Sequence, residues 1–197
     1  MIRFIGAIFL TVVVSFPAFA AVDIKEVETP GGLKAWLVED DTVPFLALEI
    51  RFKGGASLDA SGKRGAINLM TALLEEGAGE MDARDFARAS DSLAASFSFS
   101  VTDDALSISA RMLSENREEA AKLLRAALFE PRFDEASINR VRGQVLSSIT
   151  SDLKDPDEIA NRTMDNILFG DHPYASSLNG TTESVTALTR DDLLTAH

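Results

Sequence analysis

The chain has 197 residues, 46% of them hydrophobic and 25% charged; this suffices for one compact domain or two small ones and excludes global disorder. A formal net charge of −12 makes nucleic-acid phosphates and anionic lipid headgroups poor partners, and a basic peptide or protein face a better one. There is no cysteine, which removes disulfides, thiolate metal sites and thiol catalysis.

Arg3 precedes an uncharged apolar run over 4–16, Pro17 breaks it, and Ala18-Phe19-Ala20 has small residues spaced for cleavage. This layout predicts a signal peptide over residues 1–20, cut near Ala20-Ala21, and a protein that is exported to the periplasm or secreted. The run is shorter than the roughly 20 residues a spanning helix needs, so stable membrane insertion after cleavage is not expected. Cleavage would remove one Arg and no acid, leaving 18 basic against 31 acidic side chains and a net charge of −13.

A hairpin is predicted next, with strands over 23–28 and 33–38 around Thr29-Pro30-Gly31-Gly32. A third strand over 45–52 places Leu46, Leu48, Ile50 and Phe52 on a wholly apolar face, opposite Phe45, Ala47, Glu49 and Arg51. The pattern then predicts a helix over 64–76 stopped by Gly77 and Gly79, and a second, capped by Asp82, with Phe86, Ala87 and Leu93 inward. Alternating strands follow over 96–101 and 105–112. Ser114 is expected to cap a helix carrying Ala120, Leu123, Leu124, Ala127 and Leu128. Another runs from Asp134 to about Leu153 with the stripe Ile138, Val141, Val145, Ile149 and Leu153. Asp155-Pro156 interrupts, 157–168 is helical, 170–180 is a loop, and a last helix follows Leu188-Thr189. Grouped strands and grouped helices give an α+β fold, with an antiparallel sheet and helices packed on one face, over 21–197.

Several chemical motifs fail on spacing. Gly55 and Gly62 are too far apart for a phosphate loop, and Arg64 stands where it needs Ser or Thr. No Gly-x-Ser-x-Gly elbow exists, and only His172 and His197 are available as bases. Neither Asp155-Pro156-Asp157 nor Glu39-Asp40-Asp41 has calcium-loop spacing. Asn161-Arg162-Thr163 and Asn179-Gly180-Thr181 are glycosylation sequons in form alone.

The informative segment is Gly62-Lys63-Arg64-Gly65-Ala66-Ile67-Asn68-Leu69-Met70-Thr71-Ala72-Leu73-Leu74-Glu75-Glu76-Gly77, after a strand ending Phe52-Lys53-Gly54-Gly55-Ala56-Ser57. Downstream come Arg142-Gly143-Gln144-Val145-Leu146-Ser147-Ser148-Ile149, Asp155-Pro156, Leu168-Phe169-Gly170-Asp171-His172-Pro173-Tyr174, Asn179-Gly180-Thr181 and Leu188-Thr189-Arg190-Asp191-Asp192-Leu193. In order and spacing these resemble the pitrilysin/insulinase family of zinc peptidases, over about Asp23 to His197. That resemblance implies one half-subunit of the family's fold, with a strand and Gly-Ser-type loop before a helix bearing an inverted His-x-x-Glu-His zinc motif.

Carried onto this sequence, the first histidine ligand falls on Asn68, the catalytic glutamate on Thr71, the second histidine on Ala72 and the third ligand, a glutamate, on Ser148. Zinc needs two imidazoles one turn apart plus a carboxylate, and an amide, hydroxyls and a methyl neither hold the metal nor take a proton from water. No residue is therefore assigned a catalytic or metal-binding role, and no cofactor is expected. Asn68, Thr71 and Glu75 should form a polar stripe, with Leu69, Met70, Leu73 and Leu74 as the apolar remainder. Glu75 and Glu76 point about 100° apart and read as surface carboxylates. The resemblance places His172 in a structural loop.

The implied function is a catalytically inactive subunit that pairs as a heterodimer with an active zinc-peptidase homologue and helps form a peptide-binding chamber. An active zinc metalloendopeptidase and a stand-alone structural or peptide-binding module are the alternatives. The resemblance also implies a second homologous domain, which nothing here supplies, and the stop at His197 inside a predicted helix suggests a piece of a longer protein.

Overall fold

A computed structural model describes residues 23–197, so the expected signal segment lies outside the described residues. The chain divides into two compact units, one up to Val43 and the other Pro44–His197. In the first, β1 (Ile24–Glu28) and β2 (Lys34–Val38) pair antiparallel from Ile24↔Val38 to Glu28↔Lys34. Gly32, at φ +81°, allows the tight reversal between them.

The second unit is built on β3 (Phe45–Lys53), β6 (Ser96–Val101) and β7 (Ala105–Leu113), in the antiparallel order β3-β7-β6. Between β3 and β6 lie α1 (Ala66–Ala72), a two-residue ladder of β4 (Gly77–Ala78) and β5 (Met81–Asp82), and α2 (Ala83–Ser92). After β7 come α3 (Arg117–Phe129), α4 (Glu135–Asp152), α5 (Pro156–Phe169), α6 (Thr182–Ala187) and α7 (Arg190–Ala196). The expected α+β architecture is present.

Period-two alternation on β6 and β7 decides which face is covered. Phe97 and Phe99 lie with Leu106, Ile108, Ala110 and Met112 on the side packed by Ala120 and Leu124 of α3 and reached by Ile50 of β3. The registers Ser98↔Ser109, Ser100↔Ser107, Glu49↔Ser109 and Arg51↔Ser107 set a row of hydroxyls and charges on the opposite face. A second cluster joins Leu69, Met70, Leu73 and Leu74 of α1 and its trailing turn to Ile138 and Val141 of α4, Leu188, and Leu193 of α7. Phe86, Ala78, Leu123 and Ala127 form a third.

The differences from expectation have local causes. α1 is seven residues rather than a helix over 64–76: Gly65 at φ +96° cannot continue a right-handed helix backward, and after Ala72 the chain closes tighter i→i+3 turns. Ser114 opens a 3-10 turn, and α3 follows from Asn116 with no side-chain cap. Ala87 is exposed, and Ala89 takes the inward place beside Phe86. On β3 only Ile50 reaches the core, while Leu46, Leu48 and Phe52 are exposed. The stripe on α4 ends at Ile149, since Leu153 is exposed. α6 was not anticipated. Its signal was the capping box in which the Thr181 and Ser184 side chains exchange hydrogen bonds with each other's backbone amides.

Candidate functional site

The helix to which the resemblance carries the metal motif is held from outside itself. Asp59, in the loop after β3, accepts from the amides of Gly65 (2.8 Å) and Ile67 (2.9 Å), supplying the cap that α1 lacks locally. The Ser184 hydroxyl donates to Arg64 O at 2.7 Å. A Cβ on Gly65 would stand 2.6 Å from Asn179 O, and one on Gly180 would stand 2.3 Å from Arg64 O, so two backbones touch where both glycines have positive φ. Arg64 fastens the same corner. It donates to Ala56 O, Asp103 Oδ1 (2.8 Å), Pro173 O (3.2 Å), Ser176 O (2.8 Å) and Ser176 Oγ (3.0 Å).

α1 and α4 do meet: Ala72 and Val145 pack against the same core cluster as Leu69 and Val141. Ser148 follows Val145 by three residues, one turn along α4, and is exposed. Asn68, half-buried, donates its amide to Asn179 Oδ1 at 3.0 Å. Thr71 is only 2% exposed, and its hydroxyl donates to Ile67 O at 2.7 Å, one turn back on its own helix. The expected polar stripe is thus corrected to Asn68 and Glu75, because Thr71 faces the interior and bonds its own backbone. The apolar remainder stands as expected, with Leu69, Met70, Leu73 and Leu74 all buried.

Glu76 also departs from a plain surface carboxylate. It is half-buried and paired with Arg140, tying the turn after α1 to α4. Glu75 is exposed, yet partial desolvation, with repulsion from Glu76 second, lifts its carboxyl above the usual glutamate range. His172 caps a 3-10 turn over 173–175, its Nδ1 accepting from Tyr174 N at 3.3 Å, and its ring meets Tyr174 edge-on at 4.4 Å. His197 bonds Leu128 O at 2.8 Å and packs against Phe133. The two histidines are engaged with different elements.

Among the described residues, no group of three or more His, Asp or Glu side chains converges to hold a metal ion. The donors at 68, 71, 72 and 148 do not fit zinc: an amide held by Asn179, a hydroxyl held by Ile67, a methyl and a lone serine hydroxyl offer no imidazole or carboxylate. They supply no base for water either. Sequence reasoning missed Asn179, Asp59 and Arg64. Their partners lie from 6 to 112 residues away, beyond any helical or strand period.

This topology, with helices on one sheet face and α1 meeting α4 beside it, defines an α+β domain of the metallopeptidase-type fold. Residues 35–182 match the family described as Insulinase (Peptidase family M16), and the chain belongs to that family. It is 30% identical over 155 residues to "Non-peptidase homolog YmxG" of Helicobacter pylori (strain ATCC 700392 / 26695), covering 79% of this chain and 36% of the relative. It is 26% identical over 168 residues to "Uncharacterized zinc protease ML0855" of Mycobacterium leprae (strain TN), covering 85% and 38%. The crystal structure of a "peptidase M16 inactive domain" from Pseudomonas fluorescens superposes with a TM-score of 0.83 at 29% identity, covering 89% of this chain and 43% of that one. A protease from Helicobacter pylori shares the fold, with a TM-score of 0.76 at 16% identity over 89% and 42%. The chain thus spans little more than a third of the curated relatives it matches.

Proposed function

We propose that this protein is a catalytically silent M16-type subunit, exported from the cytoplasm, that pairs with an active zinc-peptidase homologue and helps enclose extended peptides. The observation that carries this reading is the donor set on α1 and α4: Asn68 and Thr71 have structural bonds, Ala72 packs in the core, and Ser148 stands alone. The relatives named a non-peptidase homolog and an inactive domain support it. The relative named a zinc protease is the argument for an active enzyme, but its chemistry needs ligands that these four side chains do not offer. For the peptide role, β6 pairs only with β7 among the described residues, leaving its other side for an added strand, beside the serine-lined sheet face. The net charge of −12 favours basic peptides over nucleic acid.

The test is to purify the protein alone and together with a homologue from the same genome that keeps an intact His-x-x-Glu-His. Alone, it is expected to bind no stoichiometric zinc and to show no chelator-sensitive peptide cleavage. Together, a one-to-one complex should elute from size exclusion and cleave peptides faster than the homologue alone. Zinc-dependent cleavage by the lone protein would refute silence, and failure to form a complex would refute pairing.

A further inference from the structure

α5 is packed inside out. None of its residues is buried, and the two that are half-buried are Arg162 and Asp165, both polar. Phe169, on the same side, sets its ring edge-on against Tyr174, but the other four large apolar side chains point the other way, with Ile159 45% exposed, Met164 53%, Ile167 79% and Leu168 64%. At 100° per residue these four span one side of the helix, centred opposite Arg162 and Asp165. A helix of 14 residues presents a face about 21 Å long. Amphipathic helices in globular units turn their apolar stripe inward, so an exposed stripe of this length is an unpartnered one.

The charges around the face say what fits it. Asp155, Asp157 and Glu158 stand at its N-terminal end and Asp171 beyond its C-terminal end, all exposed. Over 152–171 Arg162, Asp165 and Asp152 are half-buried, which leaves four exposed acids, Asp155, Asp157, Glu158 and Asp171, against one exposed base, Lys154. An anionic membrane surface would be repelled. A second copy would bring like charges together, because the same acids flank the same face in each molecule. An apolar helix with cationic ends matches both features.

We infer that the exposed face of α5 is a docking site for an amphipathic helix of another protein chain, with apolar residues at i, i+3, i+4 and i+7 and Lys or Arg at its ends. Ile167 is the central anchor and Asp171 an electrostatic guide. This inference does not depend on pairing with a peptidase homologue.

The probe is a fluorescein-labelled synthetic helix of about 18 residues, five turns, with leucines at that spacing and lysines at both ends, titrated against the purified protein in about 0.15 M salt. Three comparisons accompany it: a scrambled peptide of the same composition, a version with glutamates at the ends, and the variants Ile167→Glu and Asp171→Lys. The amphipathic lysine-ended helix should bind best. Ile167→Glu should weaken it by about tenfold or more without changing Tm, since that side chain rests on nothing in the fold. Asp171→Lys should weaken the lysine-ended helix and strengthen the glutamate-ended one. Equal binding of the scrambled peptide, or indifference to Ile167→Glu, overturns the proposal. So does a concentration-dependent dimer, or capture by lipid vesicles, that Ile167→Glu abolishes, since a second copy or a membrane would then be the occupant.

Discussion

At Asn68 a single side chain does what a metal ligand does not: its amide reaches across to Asn179 and holds α1 to the loop before α6. Removing it in Asn68→Ala leaves Asn179 Oδ1 without that donor, and a loss of about 1 kcal/mol is expected in urea denaturation. Thr71→Val keeps the buried shape and leaves Ile67 O available to its helix, so the same measurement should move by less than about 1 kcal/mol. A side chain with a catalytic job would show the reverse ranking in activity and little in stability. Glu75 differs in sign. Its carboxyl is raised by partial desolvation and then by Glu76, so the folded state favours the protonated form. That contribution is present below the ordinary glutamate range and is lost as pH rises through the raised value. Glu75→Gln should therefore raise Tm at pH 7, with the gain shrinking toward pH 4. A Tm difference that stays constant between the two would rule this out.

At the scale of elements, α1 is a short helix whose stability is supplied by neighbours far away in sequence. Asp59 caps it, Gly180 lets the next loop approach, and Arg64 bonds two separate backbone segments, at Ala56 and at 173–176. Arg64→Lys retains the charge but not the planar fork, and should cost about 2 kcal/mol. Gly65→Ala should cost at least as much, about 2 kcal/mol or more, because its φ of +96° and the 2.6 Å approach to Asn179 O both oppose a Cβ. Both are read as shifts in urea midpoint. These ties explain what the sequence left hidden. Strand alternation on 96–113, the cap at Asp82 and the stripe on α4 were legible because each is a local period or a local hydrogen bond, whereas Asp155, read only as a break, turns out to cap α5. The length of α1 was not, because its limits are set by a left-handed glycine and by a carboxylate six residues before it. The inward turn of Thr71 was equally hidden: its spacing puts it beside Asn68, and tertiary packing puts it in the core. The residue types at 68, 71, 72 and 148 needed no tertiary knowledge, since an amide, two hydroxyls and a methyl are read directly from the sequence.

At the scale of the whole molecule, the compact unit is closed by a contact between its beginning and its end. Lys63, just before α1, donates to Asp192 of α7 at 2.9 Å across 129 residues. Asp192 also accepts from the amide and hydroxyl of Thr189, completing the box that starts α7. The Lys63 ammonium, followed by these Thr189 bonds, lowers the Asp192 carboxyl to about 2. A depressed folded-state value stabilises the fold above the ordinary aspartate range, and the contribution is lost as pH falls through about 2. Asp192→Asn removes the charge and keeps the shape, so it should lower the urea midpoint at pH 7. The gap between the two proteins should stay open at pH 4 and close as pH approaches 2. Asp82 and Glu183, whose carboxyls are also lowered by hydrogen bonds, titrate in both proteins and cancel in the difference. Raising salt to about 0.5 M should narrow the gap at pH 7 without abolishing it, because the Thr189 bonds remain while the Lys63 attraction is screened. If the two midpoints run parallel from pH 7 to 2, the Asp192 charge contributes nothing to closing the unit, and α7 is held by Leu193 in the core and by the bonds from Arg190 to Arg132 O and Phe133 O.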